Sequence, residues 1–203
     1  TKSVSKGRVL GMREYLGHYT KEIGRALEAV DGDAFEKIIH ILGEAYKERK
    51  QIFIAGNGGS AATANHFVCD FGKNAVKSDE KRFKIISVSD NIEKITALGN
   101  DITFDSIFEE QLKNLMEPED VLMVISASGN SPNIVKAVEY ARKKKCKVIS
   151  LTGFKGGKVK GLSDVNLNVD LDSYEQIEDI HLIMLHMIVY WFKNHPEYLM
   201  GQK

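Results

Sequence analysis

Short apolar runs ending in small-residue loops alternate with helical segments from residue 51 onward, and this alternation constrains the fold more than any other feature. The β-prone runs are Gln51–Ala55, Phe83–Val88, Asp120–Ser126, Lys147–Leu151 and Val165–Val169. Between them lie a small-residue helix from Ser60 and helical patterns over Ile92–Leu98, Asp105–Met116 and Pro132–Lys144, with a last helix from about Tyr174 to Phe192. Strand–helix alternation predicts a parallel sheet covered by helices on both faces.

The segment before it is helical. Leu10, Tyr15, Ile23, Leu27 and Val30 fall near one face, Asp31-Gly32-Asp33 breaks the pattern, and Phe35, Ile38, Ile39, Ile41, Leu42 and Tyr46 begin a second amphipathic run. A helical hairpin over 1–50 followed by an α/β core over 51–203, together one domain of 203 residues, is the expected organisation. The last helix is apolar around most of its circumference, which predicts burial centrally or against another subunit.

Composition narrows the class. Charged residues make up 28% and cancel to a net charge of zero, so no broad field attracts nucleic acid or anionic lipid. Lys47–Lys50 and Lys143–Lys145 read as solvated helix ends. Cys69 and Cys146 sit among apolar residues and are expected to behave as small hydrophobes. Thr1–Gly7 is polar with no apolar run after it, and Ile180–Phe192 is too short to span a bilayer, so a cytoplasmic protein is expected.

Two strand-to-helix turns carry the chemistry. Gly56-Asn57-Gly58-Gly59-Ser60 lets the backbone approach a ligand without Cβ clashes, with Ser60 placed to cap the following helix. It lacks the spacing of a dinucleotide fingerprint and the lysine of a Walker loop. Ser126-Ala127-Ser128-Gly129-Asn130-Ser131-Pro132 follows a continuous apolar strand, with Ser131 as N-cap and Pro132 as first helical residue. Hydroxyls and free amides at a helix N-terminus form a phosphate cradle, and ligands of open α/β sheets bind at the carboxyl ends of strands. With no basic residue in either loop, a phosphomonoester suits them better than a triphosphate with magnesium.

His66 and Asp70 lie four apart on the helix after the first loop and share a face. On the last helix, Glu178 and His186 are eight residues apart and differ in direction by only about 80°. Two imidazoles and two carboxylates suit a divalent ion such as Zn²⁺, Ni²⁺ or Fe²⁺, and suit general acid–base work equally. Each taken singly also reads as an ordinary hydrogen-bonding side chain, and His181, in an apolar helix, as a satisfied core histidine.

Gly56-Asn57-Gly58-Gly59-Ser60-Ala61-Ala62 with His66, then Ala97-Leu98-Gly99-Asn100-Asp101, then Ser128-Gly129-Asn130-Ser131, then Ile180-His181 with His186, occur in an order that resembles the sugar isomerase (SIS) domain, and within it the phosphoheptose isomerase family. The resemblance covers nearly the whole chain. It implies a five-stranded doubly wound parallel sheet flanked by helices, and a homotetramer with sites between subunits. It implies substrate-binding roles for Asn57, Gly58, Gly59, Ser60, Asn100, Asp101, Ser126, Ala127, Ser128, Ser131 and Glu178. It implies zinc ligation by His66, Asp70, Glu178 and His186, with Asp70 and His186 as the acid/base pair. The chain departs from the family pattern at Asp70, usually glutamate, at Glu178, usually glutamine, and at Ala127, usually threonine.

The implied reaction converts sedoheptulose 7-phosphate to D-glycero-D-manno-heptose 7-phosphate through an enediol. Two alternatives share the motifs. One is an isomerase of another phosphosugar. The other is a non-catalytic SIS protein that binds a phosphosugar or a replication initiator, for which loss of the imidazole–carboxylate cluster would be the sign. Here all four positions keep ligand-type side chains.

Overall fold

The computed structural model describes residues 11–76 and 81–199. Leu10 and the Thr1–Gly7 segment of the sequence argument lie outside them.

Two helices come first, α1 (Met12–Glu28) and α2 (Gly32–Lys47). The Asp31 carboxylate caps α2 by accepting the backbone N–H groups of Asp33 and Ala34. The expected hairpin is altered in one respect: the main neighbour of α1 is not α2 but the last helix. α1 buries no residue completely, and Met12, Tyr15 and Leu16 stay exposed.

The core then follows as β1 (Gln51–Gly56), α3 (Gly59–Asn74), β2 (Lys84–Ser87), α4 (Ile92–Leu98), α5 (Ile107–Leu115), β3 (Val121–Ser126), α6 (Pro132–Lys143), β4 (Lys147–Gly153), α7 (Gly157–Leu162), β5 (Val165–Val169) and α8 (Tyr174–Asn194). The strands occupy the expected runs with ends shifted by one or two residues. α7 has no counterpart in the sequence reading: the three glycines and three lysines of residues 155–162 give no amphipathic signal. The expected helix over Asp105–Met116 starts late, because a π turn (Gly99–Thr103) and a 3₁₀ turn (Phe104–Ser106) intervene.

All strand pairs are parallel, in the order β2-β1-β3-β4-β5. Alternate residues of each strand serve opposite faces. Ile52, Ile54, Met123, Ile125, Ile149 and Leu151 pack beneath α2, α3 and α8, whereas Phe53, Ala55, Leu122, Val124 and Val148 pack beneath α5 and α6. The chain winds from β1 outward to β2, then returns past β1 to β3. The crossover direction therefore reverses between β1 and β3, and a crevice opens at their carboxyl ends.

α8 divides its apolar surface. Ile177, Ile180, Met184, Leu185, Ile188 and Phe192 are core, whereas Met187 and Tyr190 face outward at 48% and 70% exposure. Of the cysteines, Cys146 is buried, and desolvation pushes its thiol up to about 11. Cys69, contrary to its apolar neighbourhood in sequence, is exposed, because it lies on the outer side of α3. Among the described residues no helix is long and apolar enough to cross a membrane.

His181 is fully buried, and its Nε2–H donates to the Thr152 carbonyl at 3.1 Å. That tautomer leaves Nδ1 a bare lone pair, which finds no partner. Burial holds its pKa down at about 4, against 6.5 ordinarily, with the Thr152 carbonyl opposing weakly. The folded state thus resists a proton that the unfolded chain accepts below pH 6.5, so stability is lost as pH falls from 6.5 toward 4. The predicted loss is about 3 kcal/mol across that window. Urea unfolding at neutral pH and at about pH 4.5 should show a steeper decline for the wild type than for His181→Gln, which keeps the donor and cannot titrate.

Candidate functional site

Both loops of the sequence argument meet at the reversal point. Asn57, Ser60, Ser126, Ala127, Ser128, Ser131 and Glu178, joined by Tyr174, line a cavity of about 170 Å³. At about 30 Å³ per water, that is room for a phosphate and a few carbons. A larger hollow of about 580 Å³ lies at the amino ends of β1, β3 and β4, against Lys50, Val121 and Lys147. We favour the smaller one as the site, because it has the helix N-termini and the convergent hydroxyls.

The first loop turns at Gly58, whose φ of +54° is left-handed and suits glycine. Ser89 fastens the end of β1: its hydroxyl accepts the Gly56 N–H and donates to the Gly56 carbonyl, at 3.0 and 2.8 Å. Contrary to its position in the sequence, Ser60 does not cap α3. The N-cap is Gly58, the helix starts one residue early at Gly59, and Ser60 is buried in the pocket wall. A Cβ at Gly59 would meet the Glu178 carboxylate, the far end of a flexible side chain that would have to swing aside.

In the second loop, Ser126 Oγ accepts the Gly129 N–H at 3.2 Å, and Ser128 Oγ accepts the Asn130 N–H at 3.3 Å. Both hydroxyl protons are thereby left to donate elsewhere. Ser131 occupies the N-cap of α6, as expected, but makes no capping hydrogen bond through its side chain. α7 buttresses this loop. Val159 N–H donates to the Gly129 carbonyl at 3.1 Å, and Lys158 N–H to Asn130 Oδ1 at 3.0 Å. Gly129 and Gly157 both have positive φ, and a Cβ on either would collide with backbone of the other loop.

A second cluster forms farther along α3 and α8. His66 Nε2 lies 3.1 Å from Asp70 Oδ2, His186 Nε2 lies 3.3 Å from His66 Nε2, and His186 Nε2 lies 3.5 Å from Asp70 Oδ2. Donor atoms bound at 2.0–2.1 Å around a tetrahedral ion stand about 3.3 Å apart, so this triangle has the edge lengths of one face of such a site. Among the described residues these are the three that could hold a metal ion together. Asp70 Oδ1, on the other side of the carboxylate, takes a long 3.3 Å hydrogen bond from Asn74 Nδ2.

Glu178 does not join this triangle. By angle it falls near His186, but eight residues of helix separate them axially by about 12 Å. Its carboxylate lies instead against Gly59, in the serine-lined cavity. Asn100 and Asp101 lie apart as well: both are exposed on the π turn, with Asn100 Nδ2 donating to Asp101 Oδ1 at 2.8 Å. Tyr174, which lines the cavity, enters the sequence reading only as the start of the last helix and not as a site residue. Its spacing of four residues before Glu178 at the start of α8 is the signal that would have found it.

Comparison with known proteins agrees with this geometry. The SIS domain family matches residues 18–153. The phosphoheptose isomerase of Helicobacter pylori is 36% identical over 183 residues, covering 90% of this chain and 94% of that one. That of Aliarcobacter butzleri is 35% identical over 177 residues, covering 87% and 92%. The solved phosphoheptose isomerase of Neisseria gonorrhoeae superposes with a TM-score of 0.82 at 29% identity, covering 91% of this chain and all of that one. The chain belongs to the SIS domain family, within its phosphoheptose isomerase branch.

Proposed function

We propose that the protein is an aldose–ketose isomerase that converts sedoheptulose 7-phosphate to D-glycero-D-manno-heptose 7-phosphate. The observation that carries the reading is a distance. From Gly59, which lies against the Glu178 carboxylate of the cavity wall, to His66 is seven residues along α3, nearly two full turns on one face and roughly 10 Å of rise. A sugar with its phosphate on carbon 7 has eight bonds between C1 and phosphorus. At the rise per bond of an extended chain that is roughly 9 Å. A phosphate among the serines then reaches back to put C1 and C2 beside Asp70 and His186. The names of the relatives, each a phosphoheptose isomerase, support the same reading.

In this reading Ser126, Ser128 and Ser131, with the first amides of α3 and α6, bind the phosphate. Asn57 and Glu178 meet the sugar hydroxyls. Asp70 takes a proton from C1 of the ketose. The electrons of that C–H bond form the enediol C=C as O2 gains a proton, and returning the carried proton to C2 with loss of the O1 proton completes the aldehyde. His186 serves the oxygen protons. His66, Asp70 and His186 are the residues that would hold a divalent ion such as Zn²⁺, which when bound polarises a carbonyl and offsets developing oxyanion charge. Three protein ligands with a further position free is the pattern of catalytic zinc.

The apolar groove of Phe35, Ile183, Met187, Tyr190 and Trp191 has His186 on its edge. We assign a homotetramer, in which a neighbouring subunit covers this groove and the exposed Asn100–Asp101 turn serves a site between subunits. Free, exposed Cys69 suits a reducing compartment, and we assign the cytoplasm.

Incubation of the purified protein with sedoheptulose 7-phosphate and zinc should yield an aldoheptose 7-phosphate by NMR. Asp70→Asn should lower turnover by at least about 10²-fold, and unchanged turnover would remove the base role. Glu178 places a carboxylate beside a phosphate site with no basic side chain in its lining. Glu178→Gln should therefore lower KM by about threefold or more, most clearly at low salt.

A further inference from the structure

We propose that Asn133 is a positioning residue, which locks the Asn57 amide into the orientation the phosphosugar meets and ties the two binding loops together. The proposal rests on the reading of the serine-lined cavity as the sugar-phosphate site. Asn57 belongs to the turn after β1 and Asn133 to the first turn of α6, so each stands on one side of the crevice. Their carboxamides are paired reciprocally: Asn57 Nδ2 donates to Asn133 Oδ1 at 2.9 Å, and Asn133 Nδ2 donates to Asn57 Oδ1 at 3.0 Å. Asn57 lines the cavity, whereas Asn133 does not and is only 2% exposed. Asn133 thus has no route to a ligand except through Asn57.

The chemistry of the pair gives it this role. A carboxamide has two N–H donors and an oxygen with two acceptor sites. The pair consumes one donor and one acceptor site of each amide, and leaves Asn57 one N–H and one acceptor site for the cavity. A side chain on a glycine-rich turn otherwise rotates freely, and its ordering would be charged against ligand binding. Held by two hydrogen bonds to a buried partner, it is already ordered. The backbone of the first loop is fastened below by Ser89, and that of the second by α7. The amide pair is the link between them across the top.

The test combines steady-state kinetics on sedoheptulose 7-phosphate with hydrogen exchange of the Gly56–Ala61 backbone amides. Asn133→Ala should raise KM about tenfold with kcat within about threefold of wild type, and should speed exchange in the first loop. Asn133→Asp keeps the size of the side chain, removes the donor to Asn57 Oδ1, and should raise KM at least as much, which covers the case in which the alanine variant fails to fold. In an Asn57→Ala background, Asn133→Ala should add nothing further to KM. A merely structural Asn133 would lower thermal stability while leaving KM unchanged, or would multiply with Asn57→Ala, and either result overturns the proposal. If the wild type does not turn over the heptulose, the assignment of substrate falls. The exchange arm then still decides whether Asn133 holds the turn: unchanged exchange removes the clamp, and faster exchange keeps it.

Discussion

A helix that begins beyond the carboxyl end of a parallel strand presents the unpaired amides of its first turn there, and the order β2-β1-β3-β4-β5 sets two such helix starts side by side. Everything in the candidate site depends on this juxtaposition. The crevice between α3 and α6 is an anion site before any side chain is considered, which is why neither loop needs lysine or arginine. Serine hydroxyls add donors, and glycines allow close approach. The buried cores on both faces of the sheet hold the two helix starts at their separation.

The second requirement is distance. α3 carries the glycine-rich loop at its first residue and an imidazole–carboxylate cluster two turns later, and α8 runs alongside it with Glu178 near the first position and His186 near the second. In the proposed reading, the two packed helices act as a ruler. A cluster one turn closer would suit a shorter sugar. In the proposed reading, the departures from the pattern that the resemblance implies fall at both ends: Asp70 is one methylene short where the sugar would react, and Glu178 brings a negative charge to where the phosphate would bind.

Much of this was legible in the sequence, for reasons that differ between elements. The central strands are continuous apolar runs, and Val121–Ile125 can hardly be anything else. The glycine and serine loops announce themselves by composition. The His66–Asp70 pair follows from the four-residue spacing. Three features stayed hidden for physical reasons. Helix α7 has no amphipathic face to read, and it forms because Gly129 and Gly157 let two backbones touch. The Asn57–Asn133 pair joins residues far apart in sequence, and no local pattern encodes it. Glu178 lies within about 80° of His186 around the helix but about 12 Å from it along the axis, a separation that a projection onto a wheel does not show.

The central claim is that one ligand spans both ends of the helix pair. A crystal structure of the Asp70→Asn protein with sedoheptulose 7-phosphate would test it most directly. The account predicts the phosphorus among Ser126, Ser128 and Ser131, with C1 and C2 within reach of residue 70 and His186. A phosphate bound in the hollow at the amino ends of the strands, or a sugar turned away from His66 and His186, would contradict it.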